Sequence, residues 1–94
     1  MEIAGLIWLD EVLEKVESKH SVTQAEVEEV FSGRPKLKKM HKGRFGREHV
    51  YRALGRTRGG RYLTAFFIHK RTGEALVLSA RDMDKRERRS YAAK

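Results

Sequence analysis

Apolar residues in the first third of the chain recur at helical spacing. Trp8, Leu9, Val12, Leu13 and Val16 are separated by steps of one and three, which is one face of an amphipathic helix. Asp10 reads as its N-cap, and Lys19-His20 as its end. Thr23 and Glu26 have the spacing of a capping box, in which each side chain reaches the other's backbone amide. Val27, Val30 and Phe31 then supply the stripe of a second helix, which Gly33 and Pro35 stop. Beyond Pro35 the pattern changes from helical to extended. Residues 36–40 read as a short basic edge strand, 50–54 as a strand, and 61–69 as the best central strand. Residues 74–80 form the last strand, with turns at 57–60 and 71–73. The segment 41–47 contains glycine and many cations and is expected to be a mobile loop. Asp84, with Glu87 three residues on, starts a final helix that runs towards Ala93. The expectation is an α+β fold in one domain, 1–94: two N-terminal helices, a three- to four-stranded antiparallel sheet and a C-terminal helix.

Charge sharpens this picture. The 94 residues carry a net +8, very unevenly distributed. Residues 1–32 hold two basic and eight acidic residues, a net of −6; residues 33–94 hold nineteen and five, a net of +14. So concentrated a cationic segment points to a polyanion, with nucleic acid first, because lysine and arginine displace counterions from phosphate. There is no cysteine, so neither disulfides nor thiolate metal sites are available. The start lacks the basic region of a signal peptide, and no apolar run is long enough to span a membrane. These features lead to the expectation of a cytoplasmic protein.

Three blocks of residues carry a resemblance. The first is Trp8, Lys19-His20 and the Val22 to Phe31 helix. The second is the aromatic strand ending Leu54-Gly55, with Gly60-Arg61-Tyr62-Leu63. The third, and most specific, is Ser79-Ala80-Arg81 followed by Glu87-Arg88 and Tyr91. With these blocks the chain resembles the BrnT family of ribonuclease toxins from bacterial type II toxin–antitoxin pairs. The resemblance implies a RelE-like fold and metal-independent RNA cleavage by an endoribonuclease of the mRNA-interferase type. It also implies a cognate antitoxin with a ribbon-helix-helix DNA-binding domain, DNA being met only through that complex. The chain departs from the family's common pattern at Val12, Val16 and Val50. The alternative reading is therefore a non-catalytic nucleic-acid-binding or regulatory subunit derived from such a toxin.

The residues themselves suit attack by the 2′-hydroxyl of RNA on its adjacent phosphorus. That chemistry needs help removing a proton, stabilising phosphoryl charge and protonating the leaving oxygen. Arg81 is the first candidate for the charge, because guanidinium donates two parallel hydrogen bonds to phosphate; the alternative is a surface arginine that pairs with Asp82 or Glu87. Arg88 is a candidate for a second phosphate. His20 is the candidate proton carrier, since imidazole titrates near neutrality; a helix-end histidine also has a structural reason to be present. Glu87 is either the partner of the Asp84 cap or a base, and Tyr91 a hydroxyl donor, a stacking surface or a packing residue. Tyr51, Arg56 and Arg61 are expected to line an RNA-binding sheet face. Lys38, Lys39, Arg44 and Arg47 are expected to steer RNA. No histidines have metal-ligand spacing, so no metal site or other cofactor is expected.

Overall fold

A computed structural model describes residues 1–45 and 48–93, without the side chains of 41–45. The elements are β1 (Leu6–Ile7), α1 (Asp10–His20), α2 (Gln24–Ser32), β2 (Lys36–Phe45), β3 (Glu48–Arg56), β4 (Tyr62–His69), β5 (Ala75–Asp82) and α3 (Lys85–Ala92). The sheet order is β1-β5-β4-β3-β2. Strands β2 to β5 form the expected antiparallel meander. β1 adds a fifth strand, parallel to β5, so the sheet is mixed rather than purely antiparallel. Backbone bonds beside β1 join Ala4 N–H to Gly73 O and Ala75 N–H to Gly5 O at 2.8 and 2.9 Å, and Leu6 packs against the core. Two residues are too few to show a strand period, which is why the pattern of side chains does not announce it. β2 also runs to Phe45, through much of the segment expected to be a loop, with an irregularity in its pairing between Lys39 and Arg44. Gly46 and Arg47 lie outside the described residues.

The capping boxes at Thr23–Glu26 and Asp84–Glu87 both form. α1 differs from expectation by one residue. Leu9 occupies the N-cap position, and Asp10 is the first helical residue, where its charge meets the positive end of the helix dipole. The helix ends at Ser21, in the left-handed region with φ 52°, whose N–H bonds to Val16 O. Trp8 precedes the helix and packs against the core.

Helices α1 and α2 cover one sheet face. Val16, Val22, Val27 and Val30 pack there on Ala53, Leu63, Ala65, Phe67, Ala75 and Ala80. Phe67 meets Phe31 edge-on at 5.2 Å and stacks with Tyr51 at 5.6 Å. α2 crosses β3 at Gly55, where an added Cβ would lie 2.7 Å from Val30 Cγ1. α3 lies on the opposite face.

A bulge in β5 decides what α3 meets. Phe66 pairs with Ser79 and Phe67 with Val77, so Leu78 has no partner on β4. Ala75 and Val77 face the α1/α2 core, and simple alternation would send Ser79 and Arg81 there too. The extra residue reverses the phase. Ala80 enters that core instead, and Arg81 emerges on the α3 side.

Candidate functional site

Glu87 lies at the centre of the α3 face, with its side chain only 3% exposed. Its Oε1 accepts from Arg81 Nη1 at 2.7 Å and from the Asp84 backbone N–H at 2.9 Å. Its Oε2 accepts from Arg81 Nη2 at 3.0 Å and from Arg52 Nη1 at 3.4 Å. Burial by itself would raise the Glu87 pKa. The Arg81 hydrogen bonds, the Asp84 amide and the Arg81 charge outweigh burial and hold the group below its usual range. A carboxylate has about four acceptor positions, and all are engaged here.

Arg81 is fixed by the same contacts. The Glu87 hydrogen bonds, opposed by burial, raise its pKa. Nη1 also donates to Asp82 O at 3.0 Å, and the guanidinium carbon lies 5.1 Å from the Phe66 ring centroid. Arginine has five N–H donors. Three are engaged among the described residues, all on Nη1 and Nη2. Nε–H and the second Nη2–H remain. They lie along one edge of the plane, the parallel fork that fits two phosphate oxygens.

Beside Glu87 is a cleft of about 430 Å³ lined by Lys38, Arg52, Asp84, Arg86, Glu87 and Ser90. Arg52 Nε is buried there without a partner among the described residues. Lys38 Nζ donates to Ser90 Oγ. Lys36 Nζ donates to the backbone oxygens of Ser90, at 3.1 Å, and Ala93, satisfying carbonyls left open where α3 ends. Arg52 and Arg86 were not among the residues singled out from the sequence. A signal for Arg52 exists: it shares a strand face with Val50 and Leu54, both buried. A cation between apolar neighbours on a covered face requires a partner.

Arg88 and Tyr91 are on α3 with Glu87 but reach another group of residues. The Arg88 guanidinium carbon lies 3.8 Å from the Tyr62 ring centroid, and Arg56 lies 5.2 Å from the same centroid. Tyr91 meets Tyr62 edge-on at 5.9 Å. Arg81, Glu87, Arg88 and Tyr91 are thus brought to one sheet face, with Arg56, Lys36 and Lys38.

His20, Arg61 and Tyr51 are not part of that group. His20 ends α1, in the other layer, where its backbone oxygen accepts from Arg61. Arg61 is held as a clamp. Its Nε and Nη2 bind Asp82 at 2.8 and 3.2 Å, Nη1 binds Ser21 O at 2.7 Å and Glu26 at 3.2 Å, and Nη2 also binds His20 O at 3.1 Å. The hydrogen bond to Arg61 is the main reason that the Asp82 pKa is lowered. Tyr51 packs on Phe67 in the α1/α2 core rather than lining a face with Arg56. Lys39 pairs with Tyr51 in register and shares its side of the sheet. The Arg44 side chain and Arg47 lie outside the described residues. Replacing Arg61 with alanine should cost about 1–2 kcal/mol. The lost bonds to the α1 carbonyls dominate that figure, because the Asp82 end is exposed. A lowered urea midpoint with unchanged slope would show it; an unchanged midpoint would contradict it.

Among the described residues no three His, Asp or Glu side chains are grouped as a metal ion would require. No helix among them is long and apolar enough to cross a membrane.

The arrangement defines an α+β protein with three helices, a five-stranded mixed sheet and an arginine-rich face beneath one capped helix. No protein-family model matches the sequence, and no curated protein does. Among solved structures, the chain is similar to the ribonuclease toxin BrnT of Brucella abortus, with a TM-score of 0.65 and 18% identity over 86% of this chain and 97% of that one. The fold is therefore BrnT-like, and at that identity the likeness is one of fold.

Proposed function

We propose that the chain is an endoribonuclease toxin that cleaves RNA without a metal and is neutralised by a cognate antitoxin, expected to carry a ribbon-helix-helix domain. The observation that carries this reading is the Arg81 fork: a guanidinium immobilised by Glu87 on one edge and open along another. A phosphodiester seated on that edge would have two oxygens bound by a fixed cation. The RNA 2′-oxygen forms its bond to phosphorus while the bond to the 5′-oxygen breaks. The 2′ proton passes to water and the leaving 5′-oxygen takes a proton from water, so the step balances without a protein base. Charge builds on the phosphoryl oxygens, where preorganised donors act most strongly. Glu87 serves as the positioning residue for Arg81, since its acceptor positions are filled. DNA lacks the nucleophile and would be bound without being cut. The antitoxin is assigned to the cationic face, where it would exclude RNA.

The second reading, a nucleic-acid-binding or regulatory subunit without turnover, is favoured by one observation. His20, the expected proton carrier, ends α1 on the core side of the sheet, whereas Arg81 binds Glu87 of α3 on the opposite face. Incubation of the purified chain with single-stranded RNA in EDTA separates the two. The nuclease reading expects chelator-resistant products with 2′,3′-cyclic phosphate and 5′-hydroxyl ends, and intact DNA of matched sequence. Salt-sensitive binding with no products would establish the second reading instead.

A further inference from the structure

Three arginines near the sheet are held by carboxylates: Arg52 and Arg81 by Glu87, and Arg61 by Asp82 and Glu26. Arg56 and Arg88 are exposed and have no carboxylate partner among the described residues. Both instead lie against one ring, that of Tyr62. At 3.8 Å, the Arg88 guanidinium is at stacking contact with the ring, an arrangement that arginine's planar cation allows and lysine's ammonium does not.

The ring is itself held in place. Tyr91 meets it edge-on, and Lys36 Nζ lies 5.9 Å from the Tyr91 centroid while bonded to the Ser90 carbonyl. The turn before β4 makes room for Arg56. Gly60 has φ +89°, and a Cβ there would come within 3.1 Å of Arg56 Nη2. The result is an exposed planar cation seated over the Tyr62 ring, beside further positive charge.

From this geometry we infer that Arg88, backed by Tyr62, is a platform on which one unpaired RNA base stacks. A bare phosphate would be served by the edge of a guanidinium; a guanidinium lying flat on a ring presents a plane, which suits a base. Tyr62 is two residues from Thr64, the register partner of Arg81, and so on the same strand face; the platform therefore neighbours the Arg81 fork and would take a base near a phosphate held there. The inference rests on the reading of this face as an RNA site and deepens it. A base can reach the platform only when out of a duplex, so the substrate class is single-stranded RNA, and duplex is discriminated against.

The test uses a fluorescein-labelled 2′-O-methyl RNA, which lacks the nucleophile and reports binding alone. Single abasic substitutions are scanned along it. With the wild-type chain, one position should weaken binding by about 5- to 150-fold, the range for loss of one base stack. Arg88→Lys should bind the intact strand about as weakly as the wild type binds that abasic strand, and should no longer distinguish the two. Annealing a complement should weaken wild-type binding to a similar extent. A flat abasic scan, or Arg88→Lys indistinguishable from wild type, would overturn the platform. So would competition by polyglutamate that leaves Arg88-dependent base discrimination absent, because the patch would then be a surface for acidic protein. Base-dependent binding without cleavage of ordinary RNA would sink the nuclease and leave the platform standing. Cleavage with a flat scan would do the reverse.

Discussion

Arg81→Ala should lower the rate of RNA cleavage by about 100- to 1,000-fold, the usual cost of removing one preorganised donor to a developing oxyanion. The expectation follows from how the side chain is held. A mobile arginine would have to be ordered during the reaction, whereas this one is already fixed by two bonds to Glu87 and one to Asp82 O. Alanine also leaves Glu87 with a single arginine, so some loss of stability is expected. Arg81→Lys separates the effects. Lysine keeps a charge near Glu87 but has no planar fork, so stability should recover more fully than activity. Single-turnover cleavage and thermal unfolding of both variants make the comparison. Full cleavage by Arg81→Ala would remove the phosphate-binding role.

Glu87→Gln should be the most destabilising single change on this face, by about 2–3 kcal/mol. Breaking a buried ion pair from one side costs about 3–5 kcal/mol, because the remaining charge is stranded. Here Arg81 and Arg52 are each about a third exposed, and water screens part of that penalty. For a chain of this size the loss corresponds to a fall in Tm on the order of 10–20 °C. The effect should depend on pH in a defined direction. In the folded protein Glu87 titrates below its ordinary value of 4.5, so the unfolded chain takes up the proton first as acid is added. The stability contributed by the ionised group is complete above about pH 4.5 and is lost as pH falls through the folded-state pKa. The gap between wild type and Glu87→Gln should therefore be widest near pH 7 and should shrink steadily as the pH falls below about 4.5. Asp82, lowered mainly by its hydrogen bond to Arg61, leaves a shallower acid slope of the same sign in the variant. A gap independent of pH would show that the Glu87 charge contributes nothing to folding.

The local signals in the sequence were strong where one short segment contains all the partners. Thr23 with Glu26, and Asp84 with Glu87, form their boxes within a single turn. The valines of α2 and the strands β3 to β5 follow from period and turn chemistry. The signals failed where backbone or distant partners decide. β1 is two residues long and is held largely by backbone hydrogen bonds, which carry no side-chain pattern. Tyr51 and Arg56 both looked available for RNA, yet their places five residues apart on one strand put them on opposite faces. Arg61 looked like one more cation in a basic segment. Its donors are engaged by the end of α1 and by Asp82, partners up to 41 residues away.

Sequence alone determined the starts of α2 and α3, the antiparallel meander, the cationic bias of the last two thirds and the grouping of Arg81, Glu87, Arg88 and Tyr91 at one end of the chain. These depend on neighbours within a few residues and on charge, both legible in a string of letters. Tertiary structure alone decided which side of the sheet each cation occupies. A single unpaired residue, Leu78, reverses the phase of β5 and carries Arg81 to α3 while His20 stays in the other layer. The reason is geometric: strand faces alternate every residue, so one bulge set by cross-strand pairing reassigns every side chain beyond it.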